Sequence, residues 1–290
     1  MPETLPPLDT QEAYFTTPDG LSLFRRSIVP TGKTWARLGI FPGYGDHSGR
    51  YRDFMEWLAA RGVACHGLDF RGHGRSEGRR GYAAKWAEYD NDAMTFLELQ
   101  AVQAQSDAPL FLLGHSNGAL ILASTLLRRK PAGVAGCIFS APYFAIKLTV
   151  PLHLRVVAQV ANVALPHLLV TSKISYDGLT SDTEMQQEDR RDPLNFQGAT
   201  PRWYLSSVAE QREIMPRAAE WDTPTLLLLG AADLLVENQV AKNFLAAAKT
   251  TDTTIREYAG LRHELLRETA RDEIYDDILH WLQSRAPKEK

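Results

Sequence analysis

Cysteine is scarce in this chain: Cys65 and Cys137 are the only two in 290 residues. Two thiols, each inside a strand-like apolar run, exclude a disulfide framework and read as buried free thiols. An excess of one charge is also missing, with 32 basic against 35 acidic residues and a net charge of -3. No basic stripe offers a footing for nucleic acid. An uninterrupted apolar run is missing too. The longest candidate, 148–170, is broken by His153, Arg155, Gln159, Asn162 and His167, which argues against a membrane span. The opening residues MPETLPPLDTQEAYF lack both a basic start and an apolar stretch, so no signal peptide is expected and a cytoplasmic location is the default. The eight histidines show no ligand spacing such as H-E-x-x-H. Neither a metal nor a cofactor is expected.

What remains is ordinary globular usage, 44% hydrophobic and 23% charged. Short apolar runs predict strands at 12–17, 21–28, 36–41, 63–68, 110–113, 133–139, 225–229 and 253–258. The turn signal Pro18-Asp19-Gly20 joins the first two as a hairpin. Amphipathic stretches at 52–61, 83–105, 118–129, 237–248 and 270–285 alternate with the later strands. That alternation predicts an α/β fold, a mostly parallel eight-stranded sheet flanked by helices. The rhythm fails between 142 and 221. We read 1–141 and 222–290 as two parts of one core, and 142–221 as a helical cap inserted between them.

The chemistry concentrates at LFLLGHSNGALILAS, 110–124, where a strand runs through Gly114-His115-Ser116-Asn117-Gly118 straight into a helix. Glycines two residues either side of Ser116 permit a turn tight enough to raise its hydroxyl above the sheet edge. The plainer reading is a loop serine that caps the helix. A nucleophilic serine needs a base. His263 follows the last strand, at the edge where ligands bind in such sheets. Asp233 follows the preceding strand and is the candidate acid. Asp69 is its rival, and an ordinary turn aspartate is the bland alternative. His115, beside the serine, is expected to turn away from it. An oxyanion needs two fixed N–H donors. The Asn117 amide is one candidate. Tyr44, between Gly43 and Gly45 after the third strand, is the other.

Together these residues resemble the α/β-hydrolases of the monoacylglycerol lipase and lysophospholipase group. The stretches PGYGDHSGRY, GLDFRGHGRSEG, FLLGHSNGA, PTLLLLGAADLLV and YAGLRHELLRE carry the resemblance in order, with LTSD and DPL in the insertion. It implies Ser116 as nucleophile, Asp233 as orienting acid, His263 as base, and the Tyr44 and Asn117 amides as the oxyanion hole. It also implies that the motif at Asp69, Arg71 and His73 is structural. Two residues depart from the pattern: Pro42 stands where histidine is usual, and Asn117 where methionine is usual.

The expected reaction is hydrolysis of a small lipid ester, a monoacylglycerol or lysophospholipid, through an acyl-enzyme. Val150, Leu154, Val157 and Leu168 are candidates to line an acyl-chain tunnel, or else merely to pack the cap on the core. Some cap residues could instead touch a lipid surface transiently. A short-chain carboxylesterase, an acyltransferase and a ligand-binding protein without turnover are the alternatives.

Overall fold

A computed structural model describes residues 7–102, 107–147, 151–171 and 176–286. Five central strands are almost wholly buried: β3 (Ala36–Phe41), β4 (Val63–Leu68), β5 (Leu110–His115), β6 (Val134–Ser140) and β7 (Thr225–Gly230). Their apolar residues alternate between two cores because successive side chains leave a strand on opposite faces. Leu112, Leu227 and Leu229 point into one core, while Phe111, Leu113, Leu226 and Leu228 point into the other. Burial on both faces explains why these segments read as continuous apolar runs.

The edges are wetter. β1 (Leu8–Thr16) and β2 (Ser22–Pro30) form the expected antiparallel hairpin, and β8 (Thr253–Tyr258) closes the other edge. The eight strands lie in the order β1-β2-β4-β3-β5-β6-β7-β8. β2 pairs antiparallel with β4, and every later pairing is parallel.

Helices α1 (Arg52–Ala59) and α8 (Arg271–Gln283) cover one face through Phe54, Leu58, Ile274, Ile278 and Leu282. On the other face α2 (Trp86–Val102) and α3 (Asn117–Arg129) pack around Phe96, Leu120 and Ile121. The chain then leaves the sheet after β6. It forms α4 (Leu152–Ala164), α5 (Thr183–Arg191) and α6 (Pro201–Ile214) before returning to β7 and α7 (Asn238–Ala246).

The strand order matters for chemistry. β3 neighbours β5, and β7 neighbours β8, with all four parallel. The loops leaving their carboxyl ends therefore open at one rim.

Candidate active site

At the end of β5 the backbone of Ser116 adopts φ 51° and ψ -117°, a conformation that costs an L-residue energy. Helix α3 begins at the next residue. A Cβ on Gly118 would stand 2.0 Å from the Phe41 carbonyl oxygen and 2.5 Å from that of Pro42, so only glycine lets α3 approach β3 this closely. The Ser116 hydroxyl does not cap the helix, which removes the plainer reading of this serine.

Asp233 and His263 meet as their neighbouring strands require. His263 Nδ1 lies 2.7 Å from Asp233 Oδ2, and both residues are buried. The other carboxylate oxygen accepts the amides of Leu235 (2.7 Å) and Val236 (3.1 Å). Burial alone would raise this carboxyl. The adjacent His263 and the two amides outweigh it, and the acid is held below its ordinary range. An ionised carboxylate accepts only, so Nδ1 of His263 carries a proton, and in the neutral imidazole Nε2 is the acceptor. The histidine loop is tied down by Ala232 N–H donating to the Leu261 carbonyl at 2.9 Å, and by Glu268 accepting the Arg262 amide at 2.8 Å.

The loop after β3 runs beside the serine. A Cβ placed on Gly43 would be 3.5 Å from Ser116 Cβ. No hydrogen bond among the described residues uses the amide N–H of Tyr44 or Asn117. The Asn117 side chain is buried, and its Oδ1 has no partner among the described residues.

His115 is buried with its ring centroid 4.9 Å from that of His263 and its Nδ1 3.2 Å from the Ser140 carbonyl oxygen. β5 pairs with β6 through His115 and Ser140, which brings that carbonyl within reach of the ring. Burial, reinforced by His263, pushes its imidazole down to about 3, so it is neutral.

Sequence reasoning did not single out Asp46. It is buried under the loop, receiving the Gly43 amide (3.3 Å) and the Tyr51 hydroxyl (2.7 Å), with Arg50 at 3.1 Å. Burial would raise its carboxyl, but Arg50 and the Tyr51 hydroxyl hold it down at about 2. An acidic residue three positions after a glycine, in a loop whose amides need partners, was the available signal.

The rival Asp69 is occupied elsewhere. Its carboxylate takes the amides of Ser48 (2.6 Å) and Arg75 (2.9 Å). Arg71 reaches Asp92 through two bonds, at 2.8 and 2.6 Å, and also binds Asp19. His73 packs edge-on to Tyr44. These contacts support the structural reading of that motif.

Of the proposed tunnel residues, Leu154, Val157 and Leu168 are 48%, 59% and 49% exposed, while Val150 lies outside the described residues. Helix α4 buries none of its residues, and Leu152, Val156, Val160 and Val163 are also exposed. No helix among the described residues is long and apolar enough to cross a membrane.

A parallel sheet with a strained serine turn and a carboxylate–imidazole pair at one rim defines an α/β-hydrolase. The chain belongs to the Hydrolase_4 family, described as serine aminopeptidase, S33, whose model matches residues 32–270. Within it the chain groups with monoacylglycerol lipases and lysophospholipases. It is 28% identical to human monoglyceride lipase over 98% of this chain and 93% of the relative. It is 26% identical to phospholipase YtpA of Bacillus subtilis, covering 83% of this chain and 92% of the relative. A longer Dictyostelium discoideum abhydrolase domain-containing protein is matched at 26% over 94% of this chain, which spans 29% of that relative. Among solved structures, the monoacylglycerol lipase of Paleococcus ferrophilus superposes with a TM-score of 0.80 at 25% identity, covering 91% of this chain and 99% of that one.

Proposed function

We propose that the protein, a carboxylic ester hydrolase by family, cleaves monoacyl lipid esters through a Ser116–His263–Asp233 triad. The observation that carries this reading is the 2.7 Å His263–Asp233 pair, together with a strained serine turn whose hydroxyl has no capping role. His263 Nε2 takes the Ser116 proton as Oγ attacks the ester carbonyl. The C–O bond to the alcohol breaks as the same imidazole returns that proton to the leaving oxygen. Water, deprotonated by His263, then releases the fatty acid and restores the serine. The Tyr44 and Asn117 amides receive the oxyanion; loss of one such donor typically costs about 3 kcal/mol of barrier.

The lipid preference is supported by α4, which exposes Leu152, Leu154, Val156, Val157, Val160 and Val163, with Arg155, Gln159 and Asn162 on another side, and buries none of its residues in a core. Such a surface suits an acyl chain at the mouth of the site or brief contact with a lipid surface. The cap boundaries 142–221 belong to the same proposal. Named relatives, a monoglyceride lipase and a phospholipase, support a glycerol or phosphoglycerol monoester over other alcohols. Hydrolysis of p-nitrophenyl esters of graded chain length tests the reading. Rates should peak at long chains; a peak at acetate or butyrate contradicts the lipid assignment. Full turnover by Ser116→Ala contradicts the triad.

A further inference from the structure

The segment between α5 and α6 lies along the loop that carries the Tyr44 amide, and the two run in opposite directions. His47 Nε2 donates to Asp192 Oδ2 at 2.8 Å, since Nδ1 of the same ring accepts the Gly49 amide. Two residues earlier, the Gly45 carbonyl accepts the Phe196 N–H at 3.3 Å. That approach needs glycine: Gly45 has φ +79°, and a Cβ there would stand 2.5 Å from the Phe196 carbonyl oxygen. Tyr44 then meets the start of α6. Its hydroxyl donates to the Gly81 carbonyl (2.9 Å) and accepts the Thr200 amide (3.4 Å). Its ring stacks on Trp203 with centroids 3.6 Å apart and planes 21° from parallel. Thr200 Oγ1 donates to the same Gly81 carbonyl at 2.7 Å and caps α6 by accepting the Trp203 amide.

The loop is thus held from two sides. Asp46 grips the Gly43 amide from the core, and the 192–203 segment grips Tyr44, Gly45 and His47 from the cap. Between these grips lies the Tyr44 N–H, the oxyanion donor of the function proposed above. We propose that Trp203 and the Tyr44 side chain are positioning residues, a clamp by which the seated cap fixes the oxyanion amide and so sets the rate of acyl transfer. The inference rests on the triad and oxyanion reading above. It adds that the cap acts on the chemical step as well as on substrate entry. A donor displaced by an ångström loses most of its value in the transition state while the ester ground state, bound elsewhere, is little changed.

The test compares the full-length protein with Tyr44→Phe, Tyr44→Leu, Trp203→Phe and Trp203→Leu. Four quantities are read: kcat and KM for p-nitrophenyl butyrate, the inhibition constant of butylboronic acid, the unfolding temperature, and fluorophosphonate labelling of Ser116. The boronate forms a tetrahedral adduct with an oxyanion, so its affinity reports the hole. Trp203→Leu and Tyr44→Leu should lower kcat by about tenfold or more, with KM within about threefold, and weaken the boronate in parallel. Trp203→Phe, which keeps a stacking ring, should restore kcat to within about threefold. A kcat unchanged in both leucine variants, or a change in KM alone, overturns the clamp. If one leucine variant does not fold, the other decides. Absence of Ser116 labelling in the wild type would instead defeat the triad reading. Labelling and turnover with rates insensitive to the clamp defeat only this inference.

Discussion

Replacing Gly118 by alanine is the sharpest perturbation of the serine turn. A methyl there would lie 2.0 Å from the Phe41 carbonyl oxygen and 2.5 Å from the Pro42 carbonyl oxygen, both backbone atoms. Ordinary carbon–oxygen contact needs roughly 3.2 Å, so α3 and the loop after β3 must part by about 1 Å. Overpacking of this kind costs about 1–3 kcal/mol. The better helix propensity of alanine offsets up to about 1 kcal/mol. A net loss of about 1–2 kcal/mol should appear in the urea midpoint with an unchanged m-value. The kinetic effect should be larger. The displaced segment joins the Asn117 amide to the loop carrying the Tyr44 amide. A 1 Å error between reacting groups can cost about 100-fold in rate. The assay is kcat on p-nitrophenyl butyrate beside urea unfolding. Wild-type turnover with a stability change below about 0.5 kcal/mol would refute the close-packed geometry of this turn.

Other outcomes follow from the same structure. Asp233→Asn should leave unfolding by urea within about 1–2 kcal/mol of wild type but reduce kcat about 1,000-fold or more, because the amide can hold the wrong imidazole tautomer; kcat within tenfold would contradict the role of Asp233. Acid should destabilise the protein early. Burial holds His115 near 3 and both His66 and His73 near 4, against an ordinary 6.5. Their folded values are depressed, so the unfolded chain takes up protons first as pH falls below 6.5, and stability drains until the folded values are reached. At pH 5 each costs up to about 2 kcal/mol; Asp92, raised by burial to about 6, and Asp69, Asp189 and Glu210, also raised by burial, return part of this, and the three rings outweigh them, leaving a net loss. Urea midpoints at pH 7.5 and 5 read it, and equal midpoints would contradict the neutral burial of these rings. Val157→Asp on α4 should leave stability within about 0.5 kcal/mol, because the side chain is 59% exposed, while lowering turnover of long-chain esters more than of butyrate. Equal losses on both esters would remove α4 from substrate contact.

The central strands were legible because burial on both faces leaves an unbroken apolar signature, and 36–41 and 63–68 agree with β3 and β4 to the residue; the edge run 253–258, rich in β-branched residues, also agrees with β8. β1 begins earlier than its apolar pattern suggested, at Leu8, because an exposed edge strand carries polar residues such as Asp9 and Gln11. Ser116, Asp233 and His263 were legible as strand-end residues, since strand order brings those ends to one rim. The surroundings of the site were less so. The polar run 180–192 gave no hint that Asp189 pairs with Arg50 at 2.7 Å or Asp192 with His47. Those contacts join residues about 140 positions apart, and no local pattern encodes them. The His115–His263 approach depends on how the histidine loop packs over β5, and the Tyr44–Trp203 stack on how the cap seats.

The most direct test of the central claim is peptide mapping after reaction with a fluorophosphonate at neutral pH. The account predicts one phosphonyl adduct on Ser116, formed in step with loss of esterase activity and slowed about 1,000-fold or more in His263→Ala. An adduct on another residue, or full inactivation with Ser116 unmodified, would contradict it.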